Sequence, residues 1–402
     1  MSHPNRLRVA LLGQAFMGRA HSNAWSQVGK FFDLPAVPVL HTICGRDAAK
    51  LRAFAARWGW RYFSTDWRAV VACDDIDLVD IGTPNHLHLP MAKAALAAGK
   101  HVACEKPLAG TLADAREMAH LAAEAKGGTG AGQKTFVWYN YRRCPAVALA
   151  YSLVRTGKIG PIRHVRAFYL QDWAGPDVPL AWRFDRRQAG SGALGDLAAH
   201  IVDMTRFVTG QEITAVCGAM AETFIKRRRV MSGSAAGGIA AGLKRSAKTG
   251  KVTVDDAVAF LARFSGGAMA TFEAARQATG NQNRNGFEIN GVKGALRFNF
   301  ERMNELEYYD ATAPRAVQGW TTILCTHGGD HPYAAAWWPD AHIIGYEHGF
   351  TNMAYDILRM LAGKAPTVPM PDFADAYQTQ RVLEAAAVAA AEKRWVKLSE
   401  VK

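Results

Sequence analysis

No run of about 18 uninterrupted apolar residues occurs anywhere in the chain, and no apolar segment precedes the first strand-like run at Leu7. Neither a membrane span nor a secretory leader is therefore expected, which leaves a cytoplasmic protein as the default. Cysteine is sparse: Cys44, Cys73, Cys104, Cys144, Cys217 and Cys325 stand apart, with no CxxC pair among the six. Such spacing supports neither a disulfide framework nor a zinc site, and no metal is expected. Acidic residues are in deficit, 35 against 48 Lys and Arg, for a formal charge of +13. Much of the excess lies in Lys226, Arg227, Arg228, Arg229, Lys244, Arg245, Lys248 and Lys251, with Gly and Ser between them. This reads as a solvated or mobile insertion loop. No nucleic-acid or membrane partner is expected.

What is present suits a folded chain. At 402 residues, 49% hydrophobic and 21% charged, the sequence exceeds one ordinary core and divides naturally into two domains. In the first third, β-rich runs at 7–12, 39–44, 78–81, 101–104 and 136–140 alternate with helical spacing at 18–28, 47–58, 89–98 and about 113–125. That alternation predicts a doubly wound parallel sheet, with Gly59 and Gly99 placed to end helices. Beyond Cys144 the strands are joined by hairpin turns instead. The runs 258–264 and 268–273 flank Ser265-Gly266-Gly267, and 287–289 and 295–300 flank a loop beginning Asn290-Gly291. A helix around 194–208 interrupts this region, and an Ala-rich helix at 373–393 follows it. The expected fold class is α/β: a Rossmann domain over 1–143, then an α/β domain over 144–402 with a large open, mostly antiparallel sheet. The last helix is a candidate to pack back on the first domain.

Three separated signals carry chemistry. Directly after the first strand stands Gly13-Gln14-Ala15-Phe16-Met17-Gly18. In a dinucleotide fingerprint the first glycine makes the tight turn, the middle residue must be small so that backbone approaches the pyrophosphate, and the last lets the helix pack closely. Here Ala15 takes the middle place. The N–H groups and dipole at the start of the following helix favour phosphate, so Gly13, Ala15, Phe16, Met17 and Gly18 are candidate cofactor contacts. At the end of the second strand, Gly45 stands where NAD sites carry an acid for the ribose 2′-hydroxyl. Arg46 suits a 2′-phosphate, which leans towards NADP; a solvated Arg46 beside an Asp47 helix cap fits as well.

In open α/β sheets ligands lie outside the carboxyl ends of the strands. Thr83, Pro84, Asn85 and His88, after the strand at 78–81, and Glu105 and Lys106, after the strand at 101–104, should therefore line the cofactor crevice, with Lys106 at its nicotinamide end. The third signal is Asp196 and His200, four apart and so on one helical face. Histidine accepts a proton near neutral pH, as oxidation of an alcohol requires, while Asp196 can hold substrate or orient the base.

The chain resembles the Gfo/Idh/MocA sugar dehydrogenases over nearly its whole length. The resemblance runs through Phe16-Met17-Gly18-Arg19-Ala20-His21-Ser22, Thr83-Pro84-Asn85-His86-Leu87-His88, Glu105-Lys106-Pro107, Asn140-Tyr141-Arg142-Arg143, Tyr169-Leu170-Gln171-Asp172-Trp173, Trp182-Arg183-Phe184 and Gly190-Ser191-Gly192-Ala193-Leu194-Gly195-Asp196. It puts the family's EKP lysine on Lys106 and its DxxxH aspartate and histidine on Asp196 and His200, implying that these three are catalytic. It further implies that Tyr141, Gln171, Trp173 and Arg183 join them in a sugar pocket. The cofactor it implies is NAD, which the local reading of Gly45 and Arg46 opposes with NADP. A small carbohydrate substrate and a homo-oligomer, dimer or tetramer, built through the C-terminal sheet are also implied. The expected activity is hydride transfer between a secondary hydroxyl of a sugar, anhydrosugar or cyclic polyol and the nicotinamide. An NAD-dependent glycosidase using transient sugar oxidation and a non-catalytic nucleotide sensor are the alternatives.

Overall fold

The computed structural model describes residues 5–126, 132–231 and 245–401; Lys244 and the rest of 232–244 lie outside them. The chain begins β1 (Asn5–Leu12), α1 (Phe16–Phe31), β2 (Ala36–Cys44), α2 (Ala48–Trp58), β3 (Tyr62–Ser64), α3 (Trp67–Ala72), β4 (Leu78–Ile81), α4 (His88–Ala97), β5 (His101–Cys104), α5 (Leu112–Lys126) and β6 (Thr135–Val137). These strands form one sheet in the order β3-β2-β1-β4-β5-β6, and every pairing is parallel. The order reverses between β1 and β4, the switch point where a doubly wound sheet opens its ligand crevice. Local chemistry sets the helix limits. The Asp47 side chain caps α2 by accepting from the Ala49 and Lys50 N–H groups, and Gly59 ends it at φ 79°, a conformation that favours glycine. The strand expected at 136–140 is shorter: β6 stops at Val137, and Asn140–Arg143 makes a 3₁₀ turn. β3, only three residues long and exposed at Tyr62 and Phe63, has no alternation to betray it.

The chain continues with α6 (Pro145–Arg155), β7 (Ile162–Leu170), α7 (Arg186–Ala189), α8 (Ala199–Thr209), β8 (Ile213–Glu222), β9 (Arg227–Met231), β10 (Arg245–Lys251), β11 (Ala257–Phe264), β12 (Met269–Ala275), β13 (Arg284–Gly291), β14 (Gly294–Asn299), β15 (Glu305–Asp310), β16 (Trp320–Leu324), α9 (Tyr346–Leu361), α10 (Phe373–Glu392) and β17 (Val396–Lys397). Nine strands form a sheet in the order β16-β15-β14-β13-β7-β12-β11-β8-β17. All its pairings are antiparallel except that of β12 with β7. Both expected hairpins, β11–β12 and β13–β14, are present. Along β11, Val258, Phe260, Ala262 and Phe264 are buried while Leu261 between them is 41% exposed. One face of the sheet is thus packed and the other open.

The basic segment departs from the expected solvated loop in its described part. β9 and β10 pair as an antiparallel ribbon, and Arg228 is wholly buried. Its guanidinium donates to the carbonyls of Gly175 (2.7 Å), Val178 (3.0 Å) and Ala174 (2.6 Å) and lies 4.1 Å from the centre of the Phe184 ring. Composition alone could not distinguish this arginine from its exposed neighbours, because the ring and carbonyls that receive it come from a separate stretch of chain.

Two compact units result: Met1–Asn140 with Gly345–Tyr377, and Tyr141–Ile344 with Gln378–Lys402. The segment 345–377 belongs to the first unit because Phe350, Met353, Ala354, Ile357 and Leu358 of α9 share one core with Val9, Leu11, Trp25, Val28 and Trp138. Among the described residues no helix is long and apolar enough to cross a membrane.

Candidate active site

In the first unit, Gly13 takes φ 121°, and a Cβ there would meet the Gly82 carbonyl oxygen at 2.5 Å. A Cβ on Gly18 would meet the Gly13 oxygen at 2.3 Å. The two glycines therefore permit the close strand–turn–helix approach that the fingerprint needs. Ala15 is exposed at the N-cap of α1, no side chain caps this helix, and its first turn holds no acid. Its end is thus available for phosphate. Phe16 is exposed and stacks at 6.2 Å on Tyr346. Arg46 is exposed, and the Asp47 carboxylate is occupied by capping. The fold and the glycine turn define a dinucleotide-binding unit of the Rossmann class.

Thr83 and Pro84 lead from β4 into a 3₁₀ turn at Asn85–Leu87. His88 is wholly buried, with Nε2 3.0 Å from the Thr83 oxygen and Nδ1 3.2 Å from the oxygens of Pro107 and Leu108. It braces the loops after β4 and β5 rather than presenting its ring in the crevice; burial lowers its pKa. Behind Lys106 lies a polar cluster that sequence reasoning did not single out, and it takes in Glu105, which was expected to line the cofactor crevice but is buried against His21. His21, with no exposed surface, places Nδ1 3.0 Å from Asp80 Oδ1 and Nε2 3.0 Å from Glu105 Oε1. Asp80 also accepts the indole N–H groups of Trp25 (2.8 Å) and Trp138 (2.9 Å). Glu105 Oε2 accepts the Lys106 backbone N–H at 3.1 Å. Burial by itself would lower the His21 pKa, but attraction and hydrogen bonding to the two carboxylates outweigh it and raise it to about 9. The available signal was a histidine four residues before Trp25 on the buried face of α1.

In the second unit the remaining candidates gather. Asp196 stands in a π-helical turn, Leu194–Ala198, that runs into α8 carrying His200. The Arg183 Nε lies 4.0 Å from Asp196 Oδ2. The His200 ring is 4.6 Å from that of Tyr141 and 5.8 Å from that of Tyr169. A hydrogen-bond chain links the others: the Tyr141 and Tyr169 hydroxyls are 2.9 Å apart, and Tyr169 donates to Asn283 Oδ1 at 2.8 Å. Gln171 donates to the same Asn283 oxygen at 2.7 Å and accepts from Trp173 Nε1 at 2.9 Å. Burial pushes the Tyr141 hydroxyl well above its usual pKa, keeping it a neutral donor. Arg142 makes a buried two-point ion pair with Asp203 of α8, anchoring the turn that carries Tyr141. Asn283 escaped sequence reading because its place beside Tyr169 is set by the pairing of β13 with β7. Lys106 and the glycine turn belong to the first unit, Asp196 and His200 to the second. Among the described residues no group of three His, Cys, Asp or Glu is arranged to hold a metal ion.

The chain belongs to the GFO/IDH/MocA oxidoreductase family. The model of its NAD-binding Rossmann-fold domain matches residues 7–131, and that of the GFO/IDH/MocA C-terminal domain matches residues 147–297. The chain is similar to levoglucosan dehydrogenase of Pseudarthrobacter phenanthrenivorans, 40% identical over 98% of this chain and 99% of that protein. The crystal structure of an oxidoreductase domain protein from Kribbella flavida superposes with a TM-score of 0.89 at 49% identity, covering 98% of this chain and 99% of that one. A levoglucosan dehydrogenase solved in complex with NADH and levoglucosan superposes with the same TM-score at 39% identity, covering 98% and 100%. The chain is thus an NAD-binding oxidoreductase.

Proposed function

We propose that the protein is an NAD-dependent dehydrogenase of a secondary hydroxyl on an anhydrosugar, with levoglucosan as the leading substrate. The similarity to levoglucosan dehydrogenase across 98% of the chain carries this reading. The glycine turn, the uncapped start of α1 and the loops after β4 and β5 fit a dinucleotide. When bound, NAD accepts the hydride from the carbinol carbon. Asp196, Arg183, Gln171, Trp173 and Tyr141 hold the sugar hydroxyls. His200 or Lys106 takes the hydroxyl proton as the hydride leaves, and whichever of the two is the cation stabilises the developing alkoxide. The open face of the large sheet, with Leu261, Met269 and Met220 exposed on it, is where a second copy docks; light scattering in solution tests that.

The deciding experiment incubates the purified protein with NAD or NADP and a panel of anhydrosugars, inositols, aldoses and glycosides, following reduced cofactor and free aglycone together. Net NADH formation with levoglucosan supports the reading. Cleavage of glycosides without net cofactor change would overturn it in favour of a redox-assisted glycosidase, and binding of NADH with no turnover of any panel member would leave a sensor.

A further inference from the structure

A π-turn is a costly local arrangement that is retained mostly where function uses it, so what holds Leu194–Ala198 in place matters. Its entry is clamped by one residue from outside the helix. Asp255, just before β11, accepts the Gly192 N–H on Oδ1 at 2.7 Å and the Leu194 N–H on Oδ2 at 2.8 Å. Its backbone oxygen accepts the Ala193 N–H at 3.2 Å. That oxygen comes so close that a Cβ on Gly192 would stand 1.7 Å from it. Arg276, wholly buried after β12, secures the clamp in turn. Nη2 donates to the Asp255 backbone oxygen at 3.0 Å and Nη1 to the Arg183 backbone oxygen at 3.2 Å. The same guanidinium lies 5.7 Å from the centre of the Trp173 ring. One fork therefore ties together the segments carrying Asp196, Arg183 and Trp173.

We infer that Asp255 and Arg276 are positioning residues of the sugar subsite: Asp255 fixes the π-turn that aims Asp196 and His200, and Arg276 fixes the Arg183 and Trp173 segments against it. The inference rests on the reading of Asp196, Arg183 and His200 given above. A neutral side chain of the same shape can accept only one of the two carboxylate bonds, and its amide nitrogen faces the other N–H. Losing one charge-assisted bond at this point should cost about 10- to 100-fold in kcat/KM for the sugar. Binding of the dinucleotide draws on the other unit and should not change.

The test compares wild type, Asp255→Asn, Arg276→Lys and His200→Asn with levoglucosan and NAD. The kinetic constants are measured alongside the stoichiometry and Kd of NADH, followed by its fluorescence. Asp255→Asn should bind NADH fully, within about twofold of wild type, while sugar kcat/KM falls about 10- to 100-fold with a raised KM. Arg276→Lys, which keeps the charge but reaches only one carbonyl, should fall between the two. Wild-type sugar kinetics in Asp255→Asn, with His200→Asn inactive, overturns the inference and leaves the reading of the site standing. Wild-type kinetics in His200→Asn overturns that reading itself. If levoglucosan is not oxidised at all, a crystal structure of Asp255→Asn still decides: an unmoved π-turn and Asp196 refute the clamp, and a turn relaxed to regular α-helix supports it.

Discussion

Replacing His21 by glutamine tests the charge state of the cluster behind Lys106. With one carboxylate 3.0 Å from each ring nitrogen, the ring satisfies both only as an imidazolium, and its pKa is raised to about 9. An unfolded histidine titrates near ~6.5. The difference of about 2.5 units, at about 1.4 kcal/mol each, corresponds to roughly 3 kcal/mol of stability. Because the folded value is the higher one, that contribution is complete below about pH 6.5 and disappears as the pH rises through about 9. Urea unfolding of wild type and His21→Gln, followed by tryptophan fluorescence at intervals from pH 6 to 10, measures it; Trp25 and Trp138 both bond Asp80 and report on this unit. At pH 6 the variant should be less stable by about 3–5 kcal/mol, since two buried carboxylates lose their cation. The gap should narrow by roughly 3 kcal/mol towards pH 10, because only the wild type loses the contribution. Parallel pH–stability curves for the two proteins would refute the imidazolium assignment.

Other outcomes follow from the same geometry. Lys106→Met should bind NADH like wild type while turnover falls about 10²- to 10⁴-fold; near-normal turnover on the identified substrate removes Lys106 from the chemistry. Arg46→Ala should leave NAD affinity unchanged, and if the exposed guanidinium meets a 2′-phosphate it should weaken NADP by about 1.5–3 kcal/mol; equal changes for both cofactors in titrations make it a loop cation. Gly18→Ala should abolish NADH binding, because its Cβ would stand 2.3 Å from the Gly13 oxygen; unchanged binding by fluorescence contradicts the close approach. His200→Asn should lower kcat and Asp196→Asn should mainly raise the sugar KM; the reverse pattern in steady-state kinetics would exchange their roles.

Much of the first unit was legible because its signals are local. The alternation of strand and helix, the glycines at 13, 18 and 59, and the Asp47 cap each act within a few residues, so their chemistry can be read from neighbours. The expected helix over 194–208 was located but not its form: the π-turn around Asp196 arises from the Asp255 clamp 63 residues from Gly192. The basic stretch misled for a similar reason, since Arg228 is received by Phe184 and by carbonyls some 50 residues away.

By itself the sequence determined the α/β class, the glycine turn after β1, and the hairpin order β11–β12 and β13–β14. These depend on local backbone preference and on the period of apolar residues, both encoded in short windows. Only the tertiary structure decided that His21 stands between Asp80 and Glu105, that Asn283 joins Tyr169 to Gln171, that Arg228 and Arg276 are buried, and that α9 returns to the first core. Each of these pairs a polar or apolar group with a partner far along the chain. Burial that forbids an unpaired polar atom dictates that a partner exists, but which residue supplies it is fixed by strand pairing and packing.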